Sequence, residues 1–244
     1  MNNGPLIVTL SGLTGSGKTA VAKSMYEILT EKYGRKTVLI APTFKDLAKE
    51  KNMSELEFQK YAENNPNIDK EFDITIIKHI EKAMDEGNEI IVMASWLAPF
   101  LAYSTINSKG KGYLMPIWLS TPFNIRVERV AKRESISLTK AIRYINNKES
   151  ENNVRYAEVY NIVNIEDILK GIATIIVNTT AFDVESIASM LSLSVNEKFN
   201  LLGLNKTDDE RYVDKIKEDE WCQRFDMASS SIKKVLDEYM ASVD

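Results

Sequence analysis

The sequence predicts an α/β protein: a five-stranded parallel sheet with helices on both faces, followed by a helical C-terminal appendage. Two observations point there. Short β-rich runs alternate with helical patterns from residue 6 to residue 193, as crossover helices on a parallel sheet require. Charge then divides the chain. Residues 195–244 carry 8 basic and 12 acidic side chains, whereas residues 1–194 carry 23 of each. The whole formal charge of −4 therefore sits on the last fifth, and two units are expected: 1–194, and an acidic extension at 195–244.

Each element has its own signal. Leu6 to Leu10 is a β-rich run that stops at Ser11-Gly12, a buried strand. Thr19 to Tyr33 is helical, with Val21, Ala22, Met25, Ile28 and Leu29 on one stripe and Gly34 as its stop. Thr37 to Ile40 is a second strand, closed by Ala41-Pro42. Ser54-Glu55-Leu56-Glu57 is a capping box that opens a helix. Ile68 to Glu86 is a longer helix ending at Gly87, and Glu89 to Met93 is a third strand. Residues 99–112 contain Pro99, Ser104, Asn107, Ser108, Gly110 and Gly112, which predicts a loop. Pro116 marks the start of a fourth strand, Ile117-Trp118-Leu119.

Thr121-Pro122 reads as an N-cap followed by proline in the first turn of a helix that reaches Arg133. Ser137 caps a polar helix to Tyr160. Ala173 to Val177 is the fifth strand, and Phe182 to Leu193 the last core helix. Residues 194–205 read as a linker. Residues 208–220 and 228–240 are helical patterns, the second with Ile232, Val235, Leu236 and Tyr239 in a stripe.

Composition excludes several classes. Of the 244 residues, 44% are hydrophobic, enough for a sizeable core. Cys222 is the only cysteine and His79 the only histidine, so neither a disulfide nor a His/Cys zinc site can form within one chain. No run approaches the ~18 apolar residues of a membrane span. The start, Met1-Asn2-Asn3-Gly4-Pro5, lacks signal-peptide features, so a cytoplasmic protein is expected. Neither unit carries the basic excess of a nucleic-acid binder.

The sharpest motif is Gly12-Leu13-Thr14-Gly15-Ser16-Gly17-Lys18-Thr19, which fits G-x-x-x-x-G-K-[ST] at every position. Its glycines let consecutive N–H groups converge on phosphate oxygens. The helix that opens at Lys18 adds its positive end. Lys18 supplies charge for the β- and γ-phosphates, and Thr19 a hydroxyl for Mg2+. The motif follows a buried strand and opens an amphipathic helix, the context it needs. ATP with Mg2+ is the expected ligand, in a P-loop three-layer sandwich. Size argues against a motor, and no Asn-Lys-x-Asp segment lies between the later strands to read guanine.

The stretch from Phe44-Lys45-Asp46-Leu47 to Ile68-Asp69-Lys70-Glu71-Phe72-Asp73 closely resembles the archaeal-type (type 2) cytidylate kinases. The likeness resumes at Arg126-Val127-Glu128-Arg129-Val130-Ala131-Lys132-Arg133-Glu134, similar to that family's lid entrance. Glu149-Ser150 and Arg155 to Ile162 resemble its lid exit, and Ile175-Ile176-Val177-Asn178-Thr179 its final strand. Coverage is about residues 6–192. The resemblance implies a nucleoside monophosphate kinase fold. Residues 41–86 would hold the acceptor, and a lid at about 129–160 would close over ATP. It also implies the reaction ATP plus CMP or dCMP to ADP plus the diphosphate. Lys18, Arg129, Arg133 and Arg155 would then act on the ATP side, the lid arginines offsetting charge on the transferring group. Phe44, Lys45, Asp69 and Asp73 would hold the acceptor, the two aspartates one helical turn apart and able to meet an amino-bearing base.

Three departures fall on this pattern. The family's phenylalanine-arginine pair is Phe44-Lys45, which keeps charge but loses the bidentate fork. An acidic residue, glycine, arginine and leucine after the third strand become Ala94-Ser95-Trp96-Leu97, so that Trp96 could stack on an acceptor base or sugar. An aspartate near the lid exit becomes Val163. These departures leave two alternatives open beside the kinase for CMP. One is an ATP-binding regulatory or assembly module with weakened catalysis. The other is a kinase for a different small acceptor. The acidic extension is a possible contact surface for a partner.

Overall fold

The computed structural model describes residues 4–41, 44–54, 57–58, 61, 65, 67–204 and 220–243, without the side chains of Phe44, Lys45, Glu50 and Leu204. Five parallel strands form the sheet: β1 (Leu6–Ser11), β2 (Thr37–Ile40), β3 (Ile90–Ala94), β4 (Tyr113–Ser120) and β5 (Ile175–Asn178). Their order is β2-β3-β1-β4-β5, with every pairing parallel. β1 is central and buried along its whole length, as a strand covered on both faces must be. Chain connections pass from one side of β1 to the other between β3 and β4. The C-terminal end of β1 is therefore the switch point where open α/β sheets bind ligands.

Side chains alternate across the sheet. Leu6, Val8, Leu10, Ile90, Val92, Met115, Ile117 and Leu119 face one layer. There α1 (Lys18–Glu27), extended by a π-helical turn at Ile28–Lys32, brings Val21, Ala22 and Met25. Ile7, Ile91, Met93, Leu114 and Trp118 face the other layer. That layer holds α3 (Ile68–Asp85), α4 (Ala98–Lys109), α7 (Ile165–Gly171) and α9 (Glu220–Val243). The short α2 (Phe44–Glu50) follows β2, and Leu47 and Ala48 pack with Phe58 in a small core of their own. The expected capping box is present, with the Ser54 N–H donating to Glu57 Oε2 at 2.8 Å and the Glu57 N–H to Ser54 Oγ at 3.3 Å.

Helices α5 (Phe123–Glu134) and α6 (Leu138–Tyr160) form a hairpin around Val127, Val130, Ala141 and Ile145. As expected, Ser137 caps α6, its side chain accepting from the Lys140 N–H. Asn161 ends that helix in a left-handed conformation.

The structure corrects the sequence reading at five places. Residues 98–109 form α4 rather than a loop. Pro99 sits in its first turn, where a missing N–H costs little. Phe100, Leu101, Ala102, Tyr103 and Ile106 are all buried, and this burial outweighs the weak propensity of Ser104 and Asn107. Strand β4 begins at Tyr113, so Pro116 lies within it. The Pro116 carbonyl accepts from the Thr174 N–H at 2.8 Å. The proline's missing donor thus faces the side where β5 begins only at Ile175.

Pro122, not Thr121, is the N-cap of α5, because the Thr121 hydroxyl pairs with that of Thr179 at 2.6 Å. Helix α7 was not anticipated; its short length gives little periodicity, but Ile165, Ile168 and Leu169 are buried. Finally, α8 (Val184–Leu204) runs straight through the expected linker. Arg35 holds that extra stretch, donating to Asn196 Oδ1 at 2.9 Å and lying 4.7 Å from the Phe199 ring. Val195 is buried in the same layer as α1, with Phe199 and Leu202 packed beside it, and this burial with the Arg35 anchor carries the helix on past the polar Asn196, Glu197, Lys198 and Asn200. The helical pattern at 208–220 lies outside the described residues but for Glu220, the first residue of α9.

Helix α9 packs on the kinase-like core. Phe225 is fully buried, with ring centroids 4.8 Å from Phe100 and 5.2 Å from Tyr103. None of the helices among the described residues is long and apolar enough to cross a membrane.

Candidate active site

The phosphate loop, Gly12 to Gly17, joins β1 to α1. It turns back on itself where the Ser16 N–H donates to the Leu13 carbonyl at 3.0 Å. Gly15 (φ +86°) and Gly17 (φ +94°) adopt backbone conformations that L side chains rarely take. A Cβ on Gly15 would also sit 2.9 Å from the Arg126 carbonyl, so α5 lies against the loop there. Ser16 Oγ is buried and finds no partner among the described residues. These features fit a bound polyphosphate: curled backbone, buried orphan hydroxyl and adjacent cations. Lys18 and Thr19 open α1, where helix N-terminal N–H groups favour an anion.

Lys18 is pushed down to about 8. Burial is the largest cause, the positive charges of Lys148, Arg133 and Arg126 add to it, and Glu149 opposes them. Four charged side chains of the α5–α6 hairpin thus lie close enough to be felt by the loop lysine.

The predicted arginines have different places. Arg129 Nη1 donates to Thr179 Oγ1 at 2.8 Å and Nη2 to the Thr179 carbonyl at 2.6 Å. Its Nη1 also lies 3.4 Å from the Ser16 carbonyl, so it borders the loop and braces β5. Arg133 is exposed and paired with Glu134 at 2.7 Å. Arg155 was expected on the ATP side. It reaches α3 instead, donating to Asp69 Oδ1 at 2.9 Å, and also donates to the Tyr156 hydroxyl at 3.1 Å and to Asn152 Oδ1 at 3.2 Å. Its position late in α6 carries it past the loop to α3.

Asp69 and Asp73 lie one turn apart on α3, and both meet α6. Asp73 is buried and accepts a hydrogen bond from the Tyr160 hydroxyl. Burial pushes its carboxyl up to about 7, although the Tyr160 bond and Arg155 pull it down. Tyr156 is pushed up to about 12, again chiefly by burial. Trp96 is only 5% exposed and packs with its ring 6.2 Å from Tyr156. Much of its surface is therefore spent on the core. Phe44 and Lys45 open α2, but their side chains lie outside the described residues. Ala94 ends β3, and Val163 is exposed beyond the lid exit.

Two residues at the loop, Arg126 and Glu149, fall in the segments that carry the resemblance but have no role assigned from sequence. Arg126 is 5% exposed; its Nη1 donates to Glu149 Oε1 at 2.6 Å and to the Thr14 carbonyl at 3.1 Å. Glu149 also accepts from the Thr14 N–H at 2.9 Å. Spacing gave one usable signal: Glu149 continues the inward stripe of Ala141 and Ile145. The tetrapeptide Asn205-Lys206-Thr207-Asp208 does fit Asn-Lys-x-Asp. It follows α8 rather than a strand and lies outside the described residues.

A parallel sheet with this loop after a central strand defines a P-loop nucleotide-binding protein, and the sequence family described as AAA domain matches residues 8–153. The cytidylate kinase of Pyrococcus horikoshii is 37% identical over 193 residues, covering 78% of this chain and 88% of its own length. That of Methanococcus aeolicus is 36% identical over 193 residues, covering 79% and 99%. The chain belongs to the cytidylate kinase family, and it is a phosphotransferase that acts on nucleotides. An uncharacterised protein from Eubacterium ventriosum shares the fold, with a TM-score of 0.51 at 16% identity over 78% of this chain and 98% of its own.

Proposed function

We propose that this protein transfers the γ-phosphoryl group of ATP to the phosphate of CMP or dCMP, giving ADP and the corresponding diphosphate. The observation that carries this reading is the junction of two sites on one helix hairpin. Arg126 and Glu149 reach the phosphate loop, while Arg155 and Tyr160 reach Asp69 and Asp73.

Loop amides and Lys18 would hold the β- and γ-phosphates, and Thr19 would hold Mg2+. Bound there, Mg2+ would offset charge on the phosphate oxygens. Arg129 and Arg133 stand on the lid side of the loop, where their charge favours the anionic transition state. In the transfer, an acceptor phosphate oxygen forms the new P–O bond as the bond from the γ-phosphorus to the bridging oxygen breaks. The bridging oxygen leaves with ADP. Closure of the hairpin over bound ATP would exclude water, the competing acceptor.

On the acceptor side, Phe44 and Lys45 would meet the nucleotide, Lys45 through its phosphate. Asp73, half ionised near pH 7, can accept from an exocyclic amine of cytosine, whereas uracil presents a carbonyl there. Leaving the carboxylate facing a carbonyl would cost about 1–3 kcal/mol or more. Trp96 supports the cleft from behind through Tyr156.

The test is a coupled ADP-release assay over AMP, GMP, UMP, CMP and dCMP. CMP and dCMP should exceed the ATPase background and the other acceptors. If ATP binds but none of the five is phosphorylated, the kinase reading is wrong. If another acceptor leads, the cytosine assignment is wrong.

A further inference from the structure

Helix α6 places a carboxylate on the phosphate loop. Thr14 is the third residue of the motif, and its N–H donates to Glu149 Oε1 at 2.9 Å. The same oxygen receives Arg126 Nη1 at 2.6 Å, and the Glu149 charge is also felt by Lys18. A backbone amide and a buried arginine therefore address one anionic oxygen, close enough to the loop lysine for its charge to be felt there. These are the contacts that such a loop offers to a phosphate oxygen. Arg126 Nε is buried without a partner among the described residues, so this arginine has donor capacity beyond Glu149.

The same helix continues to the acceptor segment. Arg155, which pairs with Asp69, lies about 9 Å further along its axis, and Tyr160, which bonds Asp73, about 16 Å further. An unbroken helix transmits displacement along its length. A displacement of the helix at Glu149 would therefore reach Arg155 and Tyr160.

We propose that Glu149 is a positioning residue that competes with the nucleotide's phosphates for the loop, so that phosphate binding displaces its carboxylate, moves α6 and loosens the Arg155–Asp69 pair. The inference rests on the loop being the ATP site. Its physical basis is like-charge exclusion: two anionic oxygens cannot both sit on the Thr14 amide, and a polyphosphate brings the larger charge. Arg126, released from the carboxylate, then serves the phosphate.

Inorganic tripolyphosphate separates this competition from any contact to the base. Its affinity would be measured by calorimetry for the wild type and for Glu149→Gln. In parallel, hydrogen exchange would be followed in the wild type with and without tripolyphosphate. The glutamine variant should bind about fivefold or more tightly, the scale of an ordinary coupling between sites. A merely structural role would weaken binding instead. In the wild type, tripolyphosphate should speed exchange in the second half of α6 and the first turns of α3.

Equal or weaker binding by Glu149→Gln overturns the proposal. So does tripolyphosphate binding that leaves α6 exchange unchanged, an arm that stands alone if the variant fails to fold. If tripolyphosphate binds neither protein, the loop is not a polyphosphate site, and the nucleotide reading fails together with this one.

Discussion

Ser231, on the last helix, donates its hydroxyl to the main-chain carbonyl of Tyr160 at 2.6 Å. Tyr160 in turn gives its own hydroxyl to Asp73. The C-terminal helix thus touches the end of α6 one residue away from the buried Asp73 carboxyl. A second contact joins it to the same segment, where Tyr239 lies 3.4 Å from Glu71. The AAA domain match ends at residue 153, well before this helix. Helix α9 is therefore tied to the end of α6 and to α3 through neutral hydroxyls.

Removing the Phe225 ring should be costly. It is fully buried against Phe100 and Tyr103, and a phenylalanine-to-alanine change at such a site costs about 3–5 kcal/mol. Phe225→Ala should lower the denaturant midpoint accordingly, whereas Ser231→Ala should cost about 1 kcal/mol. Chemical denaturation measures both. A Phe225→Ala midpoint equal to the wild type would show that α9 is not part of the cooperative core.

Asp73 makes stability depend on pH. Burial raises its carboxyl from the ordinary 3.8 to about 7 in the folded chain. Between those values the folded form holds a proton that the unfolded form has released. Stability therefore falls as pH rises through that window, and the loss is complete above it. Asp73→Asn should remove this part of the slope, leaving the variant more stable than the wild type at about pH 8 and closest to it at about pH 4. Melting temperatures across the range would test the difference. A parallel offset at all pH values would show that Asp73 does not titrate there.

Lys18 titrates within reach of ordinary assays. Burial, with help from Lys148, Arg133 and Arg126, lowers it to about 8. Phosphate oxygens favour its charged form, so ATP affinity should fall as pH rises through about 8, with proton uptake on binding above that point. Calorimetry in buffers of different ionisation enthalpy detects the uptake. Lys18→Ala should lower kcat by on the order of 10²–10³, the loss typical of one preorganised donor, and should remove the pH effect.

The Arg155–Asp69 pair should act as a unit. Its partners are 31% and 21% exposed, so the ion pair is sheltered but not dry. Arg155→Ala and Asp69→Asn should each raise the acceptor KM several-fold without raising the ATP KM, which should fall if anything, because phosphate binding no longer has the pair to loosen. In the double variant the effects should fall short of their sum by about 1 kcal/mol, as for residues in contact. A change confined to the ATP KM would return Arg155 to the ATP side.

Much of this architecture is legible locally. The phosphate loop is eight consecutive residues between an apolar run and an amphipathic helix, so its position at the end of β1 needs no distant information. Strand cores at Leu6 to Leu10 and Thr37 to Ile40 are equally plain. Misreadings arise where burial or a distant partner overrides local chemistry. Ser104 and Asn107 look like loop residues until Phe100 and Tyr103 find Phe225. Residues 194–204 look like a linker until Arg35 meets Asn196.

The sequence by itself determined the alternation that makes a parallel sheet, the loop that holds phosphates, and the segment whose likeness names the family. Only the tertiary structure decided which charge meets which. Arg126, Arg129, Arg133 and Arg155 are all basic residues of helical segments, and only Arg133 has its partner beside it in the chain. Folding assigns them in turn to Glu149, Thr179, Glu134 and Asp69. The reason is distance: attraction decides between partners only within a few ångströms, and three of those four contacts join residues far apart in the chain.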